Sequence, residues 1–255
     1  MQKHRHILGM RVDITSYKDA TQQVLEWAGA EERCYICAAN VHMVMETYDS
    51  EEFRKRVNCA ALVTPDGMPL VWALRLLGVK EATRVYGPDL TIHVLEEATR
   101  ESVPVGFYGG SPEVMTLLRK SVERRFPGLK IAYAFSPPFR PLNDEEDERI
   151  VKEINSSGAR ILFVGLGCPK QERWMAEHSA SINTVMLAVG AAFDFLAGAK
   201  SQAPRWMMRV GLEWLFRLTT EPRRLWRRYC IQNPRFVILF TSQLLKEVVR
   251  RKSLY

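Results

Sequence analysis

Thr64-Pro65-Asp66-Gly67-Met68-Pro69-Leu70-Val71-Trp72 is where the pattern of the chain changes period. The apolar run Ala60-Ala61-Leu62-Val63 reads as a buried strand and stops at Pro-Asp-Gly. An apolar-rich helical pattern then starts at Met68 or Pro69. Asp66 therefore stands at a strand-to-helix corner, and in an open parallel sheet such corners lie at the carboxyl ends of the strands, where ligands bind. Asp before Gly also shapes turns and caps helices. From this stretch alone the turn role is the favoured one.

The same scheme recurs along the chain. Cys34-Tyr35-Ile36-Cys37-Ala38-Ala39 is a buried strand ending at Asn40, which either holds a turn or offers its amide to a ligand. Helical spacing follows over 41–57, with a break near Asp49-Ser50. Arg84 precedes a second corner, Tyr86-Gly87-Pro88-Asp89, where Pro88 suits a first turn and Asp89 the positive end of a helix. Arg84 is either a phosphate ligand or a solvated arginine; both readings stand. The strand 103–108 runs into Gly109-Gly110-Ser111-Pro112 and a helix over 113–126, an arrangement that presents backbone N–H groups to a phosphate. A further strand over 130–135, a Pro-rich loop over 136–141 and an acidic helix start at 143–147 follow. Then Ile161-Leu162-Phe163-Val164 leads to Gly165-Leu166-Gly167-Cys168-Pro169-Lys170-Gln171-Glu172 and a helix. The last clear strand, 185–189, enters Gly190-Ala191-Ala192-Phe193-Asp194-Phe195, where Asp194 is a lone acid among apolar residues and costs stability unless paired or exposed at a site. Residues 7–14 add a short strand or hairpin, and 17–28 a helix. Strands alternating with helices predict an α/β chain: a Rossmann-like, mostly parallel sheet with helices on both faces.

The 255 residues suffice for one large α/β unit, with or without an appendage. Five scattered cysteines and no signal peptide point to a reducing cytoplasm. Cys34 and Cys37 have C-x-x-C spacing, but inside a strand they face opposite ways and no second ligand pair is near, so they are expected in the core. No apolar stretch is long enough for a spanning helix.

Charge divides the chain. From Lys200 onward there are 13 Lys and Arg against three acids, a net of +10, which leaves residues 1–199 at −3 of the total +7. This C-terminal part also carries Trp206, Trp214, Trp226, the apolar run Phe236-Val237-Ile238-Leu239-Phe240 and the terminal Arg250-Arg251-Lys252. Arg217 and Arg224 share a helix face with Arg227 one turn on, unless Pro222 breaks the helix. Nucleic acid has no need of the apolar run, whereas an anionic membrane surface does, so a basic helical appendage for the membrane is the stronger reading.

Taken together, Asn40, Thr64-Pro65-Asp66-Gly67, residues 84–90 with Gly87 and Asp89, residues 165–172, Phe193-Asp194, residues 211–218 and Glu221-Pro222-Arg223-Arg224 resemble the WecG/TagA/CpsF family of bacterial glycosyltransferases, glycosyltransferase family 26, over nearly the whole chain. The resemblance implies a Rossmann-like nucleotide-sugar-binding catalytic domain over 1–199 and a basic amphipathic appendage over 200–255 that binds membrane and lipid diphosphate. It implies inverting, metal-independent transfer from a UDP-sugar to a polyprenyl-diphosphate-linked saccharide in cell-wall polymer or exopolysaccharide synthesis, on the inner face of the cell membrane. The sugar is N-acetylmannosamine, its uronic acid or glucose. Asp66 becomes the catalytic base. Asn40, Arg84, Gln171 and Asp194 become nucleotide-sugar contacts, and Arg217, Arg224 and Arg227 contacts to the lipid diphosphate. Gly109 and Gly110 join the substrate-binding set through their phosphate-ready turn. One departure is Ala38, where relatives often carry Thr.

The chemistry of the sequence agrees. Inverting transfer needs one carboxylate to take the acceptor hydroxyl's proton. The UDP leaving group needs positive charge or oriented N–H groups, and no D-x-D triplet is present to hold a cation. No cofactor and no nucleic-acid partner are expected, and a homo-oligomer through the apolar tail is. The alternative is an NAD-dependent oxidoreductase, motivated by Gly165-Leu166-Gly167 and weakened by Lys170 at the third glycine of that fingerprint.

Overall fold

The computed structural model describes residues 3–252, without the side chains of Val248, Arg250, Arg251 and Lys252; the basic cluster at 250–252 thus lies outside the described side chains. A hairpin comes first. Its strands β1 (His4–Ile7) and β2 (Met10–Asp13) pair antiparallel across Leu8-Gly9. Both turn residues have positive φ, 51° and 87°, the requirement of the tight two-residue turn that suits strand twist.

The central sheet has six parallel strands: β3 (Cys34–Ala39), β4 (Leu62–Pro65), β5 (Val105–Gly109), β6 (Ile131–Phe135), β7 (Ile161–Gly165) and β8 (Val185–Ala188). Their spatial order is β4-β3-β8-β7-β5-β6. Parallel strands are covered on both faces, so they read as continuous apolar runs whose residues part alternately to two cores. Cys37, Val63, Leu162, Val164 and Met186 enter one core. Ile36, Leu62, Phe107, Phe163 and Leu187 enter the other. Cys37 faces the first and Cys34 borders the second, as strand alternation requires.

Helices fill both faces. The first core is closed by α2 (Val41–Asp49), α3 (Glu51–Asn58), α4 (Met68–Leu76), α7 (Asp144–Ser157) and α8 (Lys170–His178). The second is closed by α1 (Tyr17–Gly29), α5 (Gly87–Arg100), α6 (Pro112–Arg125) and α9 (Ala192–Leu196). Local chemistry sets their starts. Ser50 ends α2 and caps α3, accounting for the break at 49–50. Asn143 and Glu146 form a reciprocal capping box at the acidic start of α7.

Beyond Lys200 the chain forms α10 (Arg205–Arg209), α11 (Glu213–Thr220) and α12 (Pro222–Trp226). A wider helical turn, Arg227–Gln232, then leads into α13 (Asn233–Lys252). Pro222 does interrupt the helix, at the start of α12. The change of composition at Lys200 is not a break in packing: Phe236 and Phe240 of α13 lie in the first core, stacked on one another. Val237, Ile238 and Leu245 on the same helix are exposed, as are Trp206 and Trp226. No helix among the described residues is long and apolar enough to cross a membrane.

Candidate active site

The corners after β3, β4, β5, β7 and β8 all open at the carboxyl edge of the sheet. Between them and the appendage lies a cleft with about 710 Å³ of room. Its lining includes Asn40, Asp66, Gly110, Gln171 and Asp194, together with Arg217, Arg224 and Arg227. A smaller recess of about 80 Å³ runs from the same floor toward α11, bounded by Arg84, Glu213 and Trp214. Asn40, His42, Asp66, Arg217 and Arg228 border both spaces.

Asp66 does not cap α4. Its own N–H and that of Gly67 bond the carbonyl of Ala39 across the β3–β4 edge, and Gly67 starts the helix without a side-chain cap. The carboxylate turns instead toward α5, where its Oδ1 accepts the Gly87 N–H at 2.6 Å. The fit at position 87 is close: an added Cβ would approach the Ala38 Cβ to a tight 3.3 Å and lie in ordinary contact with this oxygen at 3.5 Å. Burial pushes the Asp66 carboxyl up to about 6. Arg84, the Gly87 N–H and Arg217 oppose that rise, and the nearby Glu213 carboxylate adds to it. The result is an acid–base group poised near neutrality and partly open to the cleft.

Arg84 is held on three sides. Its Nε donates to the main-chain carbonyl of Asp66, its Nη2 donates to Glu213 Oε2 at 2.5 Å, and its guanidinium lies 4.1 Å from the centre of the Tyr86 ring. It is therefore not a solvated arginine, and it borders the recess. Asn40 caps α2 through Met43 N–H and accepts from Arg228 Nη2 at 3.0 Å, so it serves both the turn and the site.

Gln171 ties two glycine turns together. Its Oε1 accepts N–H groups from Gly167 at 3.1 Å and Gly190 at 3.2 Å, while its Nε2 donates to Glu172 Oε1 at 2.7 Å. Glu172 is fully buried, and desolvation pushes it up to about 7. Gly110 faces the cleft beside the Ser111-capped start of α6. Gly109 faces β7, where an added Cβ would lie 2.6 Å from Gly165 main-chain atoms. Asp194 meets Lys200 at 3.6 Å, and Lys200 reaches Glu221 at 3.3 Å. Arg224 is paired with Glu221. The Arg217 guanidinium makes no hydrogen bond or ion pair among the described residues, and the residue borders both spaces. Despite the break at Pro222, Arg217, Arg224 and Arg227 reach one cleft.

Sequence reasoning missed Arg228, Glu213, His42 and Lys200 as lining groups. For Arg228, the single signal was its place in an arginine cluster. Nothing local marks Glu213, whose partner is 129 residues away. Desolvation, with Arg228 nearby, lowers His42 to about 4, so it is neutral in the cleft wall at physiological pH.

Chemically, the cleft offers four arginines and a lysine along its glycine turns. That set suits a diphosphate, with one near-neutral carboxylate beside it. Comparison with known proteins agrees with the geometry. The model of the glycosyl transferase WecG/TagA/CpsF family matches residues 5–250. The chain belongs to this family. It is also similar to the N-acetylglucosaminyldiphosphoundecaprenol N-acetyl-beta-D-mannosaminyltransferase of Bacillus spizizenii, at 30% identity over 204 residues, covering 80% of this chain and 77% of that one. As a member of the WecG/TagA/CpsF family the protein is a glycosyltransferase, which overturns the oxidoreductase alternative. The glycines 165 and 167 that prompted it line the cleft, with Lys170 opening α8.

Proposed function

We propose that this glycosyltransferase moves N-acetylmannosamine from UDP to a polyprenyl-diphosphate-linked N-acetylglucosamine, with inversion. The Bacillus relative's name supplies the sugar, the β product and the acceptor. An α-linked nucleotide sugar gives a β product in one displacement only by inversion. The observation that carries the proposal is the Asp66 carboxylate, fixed by Gly87 N–H at the meeting of the large cleft and the recess.

In this reading UDP lies along the glycine turns, and Arg217, Arg227 and Arg228 take up charge as it leaves. The acceptor enters beside α11. Its hydroxyl oxygen attacks the anomeric carbon, the bond from that carbon to the β-phosphate oxygen breaks, and the electron pair leaves with UDP. The hydroxyl proton passes to Asp66. In the same reading the appendage lies on the inner face of the cell membrane, where such an acceptor resides; the exposed Trp206, Trp226 and Ile238, set among arginines, support it. Apolar contact between appendages of two copies in solution is part of the same proposal.

The test incubates the protein with a panel of UDP-sugars and a short-chain polyprenyl-diphosphate N-acetylglucosamine, and reads products by mass and anomeric configuration. A β-linked N-acetylmannosamine product is expected. Transfer of another sugar, or retention of configuration, would overturn the reading.

A further inference from the structure

The ion pair between Arg84 and Glu213 joins the catalytic floor to the appendage, and neither a turn nor a core requires it. Both side chains are only 15% exposed, so the pair is largely desolvated, unlike the surface pairs elsewhere on the molecule. Glu213 is the first residue of α11 and enters the recess that Asp66 also borders. Arg84 thus stands between two carboxylates. It binds Glu213 directly, and it binds the backbone of Asp66 through that residue's carbonyl rather than its carboxylate.

This matters for a base. A guanidinium facing Asp66 alone would hold its carboxylate ionised and make it a poor proton acceptor. With Glu213 engaged, much of that positive charge is already matched. We infer that Glu213 is a positioning residue for the transfer: by engaging Arg84 from the appendage it matches the cation beside Asp66, so that docking of the appendage strengthens the base. The inference rests on the proposed reading of Asp66. The other charged or titratable groups facing that carboxylate are Arg217 from α11, Arg228 from the turn before α13, Tyr86 at the start of α5 and Tyr17 from α1. The arginines pull in the opposite sense to Glu213, and both tyrosines are held neutral by burial. Glu213 is therefore the one anion from the appendage that faces Asp66 among the described residues.

The test follows the Asp66 carboxyl carbon by NMR across pH 4–9 in the full chain, and the pH–rate profile of transfer in parallel. In Glu213→Gln the amide can still accept from Arg84, but the charge is gone. Its Asp66 midpoint is expected to fall from near 6 by about one unit, with the plateau rate down roughly 3- to 10-fold. Glu213→Asp, which restores the charge, is expected to recover the midpoint. An unchanged midpoint in a folded Glu213→Gln protein would overturn the inference, as would equal effects from both variants. Because the NMR titration needs no acceptor, it reads this inference even where the transfer assay refutes the proposed substrates.

Discussion

Gln171 separates two accounts of the same residue. The family resemblance makes it a contact to the nucleotide sugar, whereas the structure shows its carboxamide already committed to two glycine turns and a buried carboxyl. Gln171→Met keeps the length and removes all three hydrogen bonds. Each N–H or carboxyl partner left without its bond costs about 1–3 kcal/mol, reduced where water from the cleft reaches Gly167 or Gly190. The total is about 2–5 kcal/mol, since Gln171 itself is buried. In a chain of this size that corresponds to a fall in Tm of roughly 5–15 °C. Urea unfolding followed by tryptophan fluorescence measures the loss, and titration with UDP measures the site. Both stability and UDP affinity are expected to fall, because the turns that would cradle the diphosphate are the ones that Gln171 holds. Unchanged stability with UDP affinity lost would refute the reasoning and return Gln171 to a pure ligand contact.

Three other outcomes follow from the same geometry. Arg84→Gln removes the main cation lowering Asp66 and leaves Glu213 uncompensated, so the acidic limb of the pH–rate profile should move above its wild-type position near 6. Glu172 is raised above its unfolded value of 4.5 to about 7, so its ionisation costs stability increasingly as pH climbs through that window. Glu172→Gln should therefore be more stable than wild type at pH 8, by about 2–3 kcal/mol, and lose that advantage below pH 4.5, as measured by chemical denaturation at both pH values. Gly165→Ala would set a methyl 2.5 Å from the Phe193 ring, and the forced movement of α9 should destabilise by about 1–3 kcal/mol in the same assay.

Much of the architecture was legible because buried parallel strands and their corners carry strong local signals. The runs at 34–39, 161–165 and 185–188 are apolar on both faces, and each ends at Asn or Gly before a helix. The hairpin could be read only as one of two options until the positive φ of Leu8 and Gly9 settled it. Strand order was not legible: β8 lies between β3 and β7, and its pairing with β7 sets Gly190 beside the turn that leads to Gln171. The convergence of Arg217, Arg224 and Arg227 looked doubtful across Pro222, yet the short helices on either side turn all three into one cleft. Contacts such as Arg84 with Glu213, or Arg228 with Asn40 across 188 residues, depend on how the appendage folds back, and no local pattern encodes that. The same holds for Phe236 and Phe240. Their apolar run pointed to a membrane, and the structure divides it between the core and the exposed face of α13.

The central claim, that Asp66 takes the acceptor's proton, is tested most directly by Asp66→Asn in single-turnover transfer with UDP-N-acetylmannosamine and the lipid-linked acceptor. Binding of UDP is measured alongside. The amide is nearly the same size but cannot accept that proton, so the account predicts a rate loss of about 10²-fold or more with UDP affinity within a few-fold of wild type. An Asp66→Asn protein that binds UDP and transfers at the wild-type rate would contradict it.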